Sequence, residues 1–215
     1  MDAEFWHERW DANQISFHQE QGNALFKKHF AKLNLSAGSR VFIPLCGKTK
    51  DIAWLLINKY RVVGAELSEI AVKVLFDELG IVAEVVQADA LRHYRAKNID
   101  IFVGNIFDVS AELLGSVDAI YDRAALVALP LDMRAKYSRH MVNIALSAPQ
   151  IIICFEYDQA LQPGPPFSIS GIELHGHYAK SYTWQCLERV PVEGGLKGGV
   201  AAEEVVWQGL GLVKS

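Results

Sequence analysis

Short, continuously apolar runs recur along the middle of the chain, and amphipathic stretches separate them. Runs of this kind are typical of strands that are buried on both faces of a sheet. The runs predict strands at residues 41–46, 61–67, 82–87, 100–104, 117–121 and 150–155. Strands that alternate with helices imply a mostly parallel sheet with helices on both faces. The predicted fold class is therefore α/β, with a single doubly wound sheet.

The amphipathic stretches carry helix-start and helix-stop residues. After Ser68, apolar residues recur three and four positions apart until Gly80. Serine is a preferred N-cap residue, and glycine is preferred just beyond a helix C-terminus. Further helices are predicted over residues 51–59 and from Pro130 to about Leu146.

The two ends of the chain differ from this middle. Residues 1–35 precede the first strand and are predicted to form a helical extension over an edge or the mouth of the sheet. Residues 183–190 and 204–213 are predicted to be closing strands, for which an antiparallel pairing is open. A loop with the sequence PGPP, residues 163–166, precedes them.

The composition is that of one folded domain and argues against several classes of protein. The chain has 215 residues, of which 51% are hydrophobic, so it can bury a sizeable core. A net charge of −4 with scattered Lys and Arg argues against a nucleic-acid partner. Three widely spaced cysteines favour a reducing, cytoplasmic location, and MDAEFWHERW has no signal-peptide pattern. No apolar run reaches the roughly 18 residues of a membrane span, and without repeats or heptads we expect a monomer.

Gly47-Lys48-Thr49 matches the second half of a phosphate-binding loop. A P-loop also needs a glycine five positions before Gly47, where this chain has Phe42. A dinucleotide-binding turn needs three glycines here, and this chain has one. The pattern argues against an NTPase, and it leaves a nicotinamide-dependent oxidoreductase as a weaker alternative.

Glu66 ends the second predicted strand, 19 residues after Gly47. Ligands of open α/β sheets bind beyond the carboxyl ends of the strands, and an acidic residue at this spacing commonly accepts hydrogen bonds from ribose hydroxyls. The sequence thus predicts a nucleoside site that has no loop for phosphates. S-Adenosylmethionine meets this description, because it carries an adenosine and a positive sulfonium but no phosphate. The alternative for Glu66 is a carboxylate that favours the start of the next helix.

Two further segments follow predicted strands. Asn105 and Ile106 follow the strand at residues 100–104, where they frame an adenine or form an ordinary turn. Arg123 follows the strand at residues 117–121. It either holds the cofactor's carboxylate, stabilises an anionic acceptor atom, or pairs with Asp122 or another acid.

Aromatic residues are concentrated near the N-terminus. Trp6 and Trp10 lie four apart, on one face of a helix, and Phe17 and His18 follow. Such a tryptophan pair either closes over a nucleoside and attracts a sulfonium, or anchors the helix on the core. The histidines have no metal-ligand spacing, so no metal site is expected.

Five motifs cover nearly the whole chain in order: W-H-E-R-W…F-H-Q, V-F-I-P-L-C-G-K, V-V-G-A-E-L-S, Y-D-R-A-A-L and E-Y-D-Q…P-G-P-P-F. Together they resemble the motifs of the thiopurine S-methyltransferases. The resemblance implies a Rossmann-like class I methyltransferase fold with a seven-stranded type of sheet. It also implies S-adenosylmethionine as the cofactor.

The same resemblance implies an organisation and a set of site residues. One domain, 1–215, would contain a helical lid (1–35), a cofactor-binding core (36–160) and a substrate-side loop with closing strands (161–215). The residues implied to bind the cofactor are Trp10, Leu45, Glu66, Asn105, Ile106 and Arg123. Those implied to face the substrate are Phe17 and Arg123. No catalytic residue is assigned, and an electrostatic role of Arg123 stays an alternative.

The implied reaction is methyl transfer from S-adenosylmethionine to the sulfur of a small aromatic or heterocyclic thiol. The alternatives are a methyltransferase for selenium, tellurium or halide acceptors, and a non-catalytic module that binds the cofactor. The glycine-rich segment after Arg189 departs from the family pattern. It bears on the acceptor side of the site.

Overall fold

The computed structural model describes residues 3–212. Its α-helices are α1 (Ala3–Asp11), α2 (Ala24–His29), α3 (Lys50–Ile57), α4 (Glu69–Leu79), α5 (Ala111–Leu114), α6 (Leu131–Ile144) and α7 (Gly171–Tyr178). Its strands are β1 (Arg40–Pro44), β2 (Arg61–Glu66), β3 (Glu84–Ala88), β4 (Leu91–Ala96), β5 (Ile99–Val103), β6 (Ala119–Arg123), β7 (Gln150–Glu156), β8 (Tyr182–Pro191) and β9 (Glu203–Gly211).

Within the described residues, nine strands form one sheet in the order β3-β4-β5-β2-β1-β6-β7-β9-β8. Strands β5, β2, β1, β6 and β7 are parallel, which confirms the predicted direction of the central sheet. Strand β9 is antiparallel to β7, and β8 is antiparallel to β9. The seven strands from β5 to β8 form the expected type of sheet. Strands β3 and β4 add an antiparallel hairpin at its edge.

Strand β4 was not predicted, for a physical reason. Its buried residues, Leu91 and Tyr94, are three apart and not two, and polar side chains occupy most of the other positions. A strand with one exposed face normally shows a period of two. The neighbouring prediction at residues 82–87 is shifted, because β3 begins at Glu84.

The helical prediction for residues 1–35 is partly right. Helices α1 and α2 and a 3-10 helix, Phe30–Leu33, account for most of it, and Met1 and Asp2 lie outside the described residues. A non-helical connection separates α1 from α2, and left-handed backbone occurs in it at Asn13 and Gly22. Asn23 then caps α2 by accepting a hydrogen bond from the backbone N–H of Phe26.

The sheet is covered on both faces by apolar side chains. Ile151 and Ile153 belong to the cluster that includes residues of α2, α3 and α4, whereas Ile152 belongs to the cluster with α5, α6 and α7. Neighbouring residues of a strand point to opposite faces, so β7 contributes to both layers. The parallel strands end at a common edge, where the predicted site residues lie at the ends of β2 and β6 and just after β1 and β5.

Candidate active site

The loop after β1 turns sharply at two left-handed residues, Leu45 (φ 47°) and Gly47 (φ 52°). Leu45 interrupts the predicted strand, so β1 ends at Pro44. The backbone N–H of Cys46 still donates to the Ala65 carbonyl oxygen at 3.0 Å. The loop therefore stays attached to β2 while its backbone reverses toward the N-terminus of α3.

The Glu66 carboxylate joins this loop to the end of β2. One oxygen accepts a hydrogen bond from the Gly47 backbone N–H at 2.7 Å, and the other accepts one from the Ser68 N–H at 2.8 Å. The side chain is buried, and burial raises the carboxyl pKa while the backbone N–H groups oppose that rise. Since Ser68 caps α4, the carboxylate supports the helix start as well as the loop.

A large open cavity is lined by residues that follow Glu66 in the chain, although the Glu66 side chain itself does not line it. Its volume is about 360 Å³, and Leu67, Ser68 and Val103 line it at the ends of β2 and β5. His7 of α1 and Gln87 of β3 also line it. Leu67 and Val103 are strand-end residues, so their position was a usable signal, whereas His7 and Gln87 arrive from distant segments.

A smaller cavity, about 40 Å³, lies on the β1 and β6 side. It is lined by four of the residues predicted from the sequence, Trp10, Phe17, Leu45 and Arg123. Strands β1 and β6 are neighbours in the sheet although β2 through β5 intervene in the chain, so the strand order reverses here. That reversal is where ligands bind in open α/β sheets.

Aromatic residues of the N-terminal segment cover the smaller cavity. The rings of Trp6 and Trp10 pack edge-on against Phe17, with centroids 6.0 and 5.6 Å away. Trp10 is buried and lies on the β1 loop, so that a Cβ atom on Gly47 would come within 3.1 Å of its ring. A glycine at position 47 thus permits both the left-handed turn and the close approach of the tryptophan.

Arg123 extends from the end of β6 into the same region. Its Nη1 donates to the Phe17 carbonyl oxygen at 3.2 Å, and its Nε lies 3.8 Å from Oε1 of Glu204. Nε is buried and has no hydrogen-bond partner among the described residues. Of the predicted alternatives, the ion pair is present, but its acid is Glu204, which sequence reasoning missed.

Asp122 turns away from Arg123 into the core. Its carboxylate accepts hydrogen bonds from the Tyr137 hydroxyl at 2.7 Å and from the Leu126 backbone N–H at 3.2 Å. Burial raises its pKa to about 6. Successive residues of β6 point to opposite faces of the sheet, which places Asp122 and Arg123 in different surroundings.

His18 contributes an imidazole to the smaller cavity. Its side chain is 6% exposed, and Nε2 lies 3.5 Å from the Glu20 carboxylate without hydrogen-bond geometry. Burial and the nearby Lys48 ammonium lower its pKa, so the ring is neutral at pH 7. Residues 3–212 contain no group of three or more potential protein ligands for a metal ion.

Asn105 and Ile106 lie at the same edge but line neither cavity. Asn105 is exposed, and its side chain accepts a hydrogen bond from the Phe107 backbone N–H at 3.2 Å, as in an ordinary turn. The Ile106 side chain is buried in the core, and its carbonyl oxygen accepts a hydrogen bond from His140 Nε2 at 2.9 Å. The smaller cavity therefore brings together Trp10, Phe17, Leu45 and Arg123. The Glu66 side chain also lines neither cavity, and it is joined to the smaller one through its hydrogen bond from Gly47.

Solved structures of similar fold are methyltransferases. An S-adenosylmethionine-dependent methyltransferase from Anabaena variabilis aligns with a TM-score of 0.66 at 12% identity, covering 96% of this chain and 93% of its own. Magnesium protoporphyrin IX methyltransferase from Synechocystis, solved with bound S-adenosylmethionine, aligns with a TM-score of 0.66 at 10% identity, covering 98% and 97%. Identities this low establish the class I methyltransferase fold and no more.

Relatives of much higher identity carry one name. A thiopurine S-methyltransferase of Xanthobacter autotrophicus is 52% identical over 208 residues, 96% of this chain and 98% of that protein. One of Teredinibacter turnerae is 47% identical over 97% of each chain. The family model described as "Thiopurine S-methyltransferase (TPMT)" matches residues 1–204. The chain belongs to the thiopurine S-methyltransferase family.

Proposed function

We propose that the protein transfers the methyl group of S-adenosylmethionine to the sulfur of a small aromatic or heterocyclic thiol. The observation that carries the proposal is a pair of cavities, each lined by a residue whose backbone N–H donates to Glu66: Ser68 lines one that is open and partly apolar, and Gly47 lines one that is small, aromatic and next to the partly buried Arg123. Family membership supports methyl transfer in general. The cavity chemistry supports the cofactor and the kind of acceptor.

The larger cavity fits an adenosyl group. Leu67, Ile70 and Val103 supply apolar surface for a base, and Gln87 supplies an amide for its polar edge. Each Glu66 oxygen already accepts one backbone N–H, and a carboxylate oxygen can accept a second hydrogen bond from a ribose hydroxyl. Asn105 and Ile106 are proposed to act on the adenine side through backbone groups at the end of β5.

The smaller cavity is proposed to receive the methionyl part of the cofactor and its sulfonium, with the N-terminal aromatic residues moving outward to make room. Bound S-adenosylmethionine supplies a methyl group on a positively charged sulfur. The rings of Trp10 and Phe17 attract that charge through their faces and exclude water. Leu45 bounds the same space, and the left-handed turn holds it there.

Arg123 is proposed to favour an anionic acceptor. Only 13% of the Arg123 side chain is exposed, so its charge is poorly screened by water. A heteroaromatic thiol is acidic enough to ionise readily, and its thiolate would face this cation and the Phe17 ring. The chain then supplies alignment for in-line displacement, and we assign no general base.

The organisation proposed for the domain follows from these assignments. Residues 1–35 act as the lid, 36–160 hold the cofactor, and 161–215 form the acceptor side. Within residues 3–212, no helix is long and apolar enough to span a membrane. We propose a cytoplasmic monomer, and light scattering of the purified protein tests the oligomeric state.

Ligand panels test the proposed function. S-Adenosylhomocysteine at about 100 times its Kd should stabilise the protein by about 2.7 kcal/mol in a thermal-shift assay, while NAD and ATP should not. Methyl transfer is then measured with aromatic thiols, selenite, tellurite and iodide. Faster turnover with selenite, tellurite or iodide would assign a different acceptor. Stabilisation by NAD alone would favour the oxidoreductase, and cofactor binding without turnover on any acceptor would favour a binding module.

Glu66→Ala tests the ribose assignment. We expect weaker binding of S-adenosylhomocysteine by about 1–3 kcal/mol, the cost of leaving buried hydrogen-bonding partners unmatched. Calorimetry measures the affinity, and Glu84→Ala is the control because Glu84 is an exposed carboxylate on β3. Equal affinities for the wild type and Glu66→Ala would refute the assignment.

A further inference from the structure

Arg123 is held by the N-terminal segment as well as by its own strand. Its Nη1 donates to the Phe17 carbonyl oxygen at 3.2 Å. Its buried Nε has no hydrogen-bond partner among the described residues. An unpartnered donor in a buried guanidinium is costly unless something else receives it.

The Glu204 carboxylate lies near this nitrogen but does not accept a hydrogen bond from it. Strand β9 is antiparallel to β7, so its first residues lie where the parallel strands end. Glu204 Oε1 is 3.8 Å from Arg123 Nε, close enough for charge attraction and too far for a hydrogen bond. The Glu204 side chain is 18% exposed, so a direct hydrogen bond would be favoured if the carboxylate were free to move.

Asn23 explains why the carboxylate stays back. Its Nδ2 donates to the same Oε1 atom of Glu204 at 3.0 Å, and also to Gln19 Oε1 at 3.2 Å. Its own Oδ1 caps α2 at Phe26, and its backbone N–H donates to Asp51 at 2.8 Å. Asn23 is 2% exposed, and both of its side-chain donors and its acceptor are used.

We propose that Asn23 and Glu204 are positioning residues for Arg123. Asn23 holds the Glu204 carboxylate at a distance that orients the guanidinium by charge without a direct hydrogen bond, so that the positive charge of Arg123 stays available to the methyl acceptor in the smaller cavity. The inference rests on the proposed function and deepens it, since it names the residues that set how Arg123 meets the acceptor. It also links the N-terminal segment to acceptor binding, because Asn23 and Phe17 both belong to that segment.

Variants distinguish the proposed positioning of Arg123 by Asn23 and Glu204 from a simple packing role. Glu204→Ala removes the carboxylate, and Glu204→Gln keeps one oxygen that can accept from Asn23 but carries no charge. Asn23→Ser keeps an N-cap for α2 but loses the side-chain amide that donates to Glu204, and the shorter serine hydroxyl is used by the cap. Glu203→Ala is the control: Glu203 is the adjacent carboxylate on β9 and pairs with Arg189.

The first measurement does not depend on turnover. Nitrogen-15 NMR of arginine Nε–H groups follows Arg123, whose signal is assigned by its loss in Arg123→Lys. We expect faster exchange with water in Glu204→Ala, and a downfield shift in Asn23→Ser as Glu204 moves into hydrogen-bonding distance. An Arg123 Nε–H signal that is unchanged in both variants would contradict the positioning role of Asn23 and Glu204.

The second measurement is steady-state methyl transfer to an aromatic thiol by the full chain. Loss of one net hydrogen-bond equivalent predicts an acceptor KM about tenfold higher in Glu204→Ala and in Asn23→Ser, with partial rescue in Glu204→Gln. A double variant that combines Asn23→Ser and Glu204→Ala should have an acceptor KM no higher than that of either single variant. The Kd of S-adenosylhomocysteine should stay within about twofold, and Glu203→Ala should behave as the wild type.

The outcomes of the two arms differ in meaning. If the wild type turns over normally and the acceptor KM is unchanged in Glu204→Ala and Asn23→Ser, the positioning role is contradicted while the proposed function stands. A parallel loss of affinity for S-adenosylhomocysteine would show a structural role and would also contradict the positioning role. Absence of wild-type turnover on any acceptor contradicts the proposed function, and the NMR arm then still decides whether Asn23 and Glu204 position Arg123.

Discussion

At the scale of single residues, adjacent positions in one strand have opposite roles. Arg123 faces the smaller cavity, whereas Asp122 is buried in the core beneath the Tyr137 hydroxyl. The motif Y-D-R does not distinguish these surroundings, because it identifies residue types and not the face of the sheet. Strand periodicity supplies the missing information once β6 is located.

The elevated pKa of Asp122 predicts a pH-dependent stability. Its pKa rises from 3.8 to about 6 on folding, because burial disfavours the charged carboxylate. Between these two values the native state binds more protons than the unfolded state, so the free energy of unfolding falls as pH rises through that window. The loss should approach about 3 kcal/mol, at about 1.4 kcal/mol per pKa unit.

Urea unfolding from pH 4 to 7.5 checks this contribution against Asp122→Asn. The wild type should lose stability relative to the variant as pH rises, and the difference should become constant above about pH 7. Using the difference between the two proteins cancels the titration of other groups. Parallel curves across the whole range would contradict the pKa assignment.

At the scale of elements, the contact between α1 and the loop after β1 depends on Gly47, which has no side chain. Gly47→Ala should cost about 1–2 kcal/mol of stability through its left-handed backbone. Its Cβ would also lie 3.1 Å from the Trp10 ring and displace α1 from the loop. We therefore expect weaker binding of S-adenosylhomocysteine, measured by calorimetry, in addition to the lower stability.

Gly38→Ala is the matched control for this prediction. Gly38 also has a left-handed backbone, with φ 87°, and no atom lies within 4 Å of a Cβ placed there. It should lower the free energy of unfolding without changing cofactor affinity. Should both alanine variants bind the cofactor equally well, the contact of Trp10 with the loop has no part in binding.

At the scale of the whole molecule, one sheet separates two apolar layers. Ile151 and Ile152 are neighbours in β7, are both buried, and belong to opposite layers. Truncating either isoleucine to alanine should cost about 2–5 kcal/mol. Since β7 contributes to both layers, each variant should still unfold in a single cooperative transition.

Urea unfolding followed by far-ultraviolet circular dichroism and by tryptophan fluorescence measures both costs. The two probes should give coincident transitions for each variant. Separate transitions, or a large cost for one isoleucine and none for its neighbour, would show that the two layers unfold independently.

The sequence predicted most of the central fold because its information is local. Continuous apolar runs, Ser68 and Gly80 at the ends of α4, and polar residues after the strands all lie within single elements. The parallel sheet follows from their alternation, and the carboxyl-end rule then brings Glu66 and Arg123 to one edge. Strand β4 and helix α7 escaped prediction because their local patterns are weak.

What the sequence alone determined was the order of strands and helices, the residue types at the carboxyl edge of the parallel strands and the family motifs. Only the tertiary structure decided which groups meet there. Glu204 reaches Arg123 from 81 positions away, and Asn23 reaches Glu204 from 181. Such contacts depend on strand register and on how the N-terminal segment packs over the sheet, and neither is encoded in any one stretch of chain.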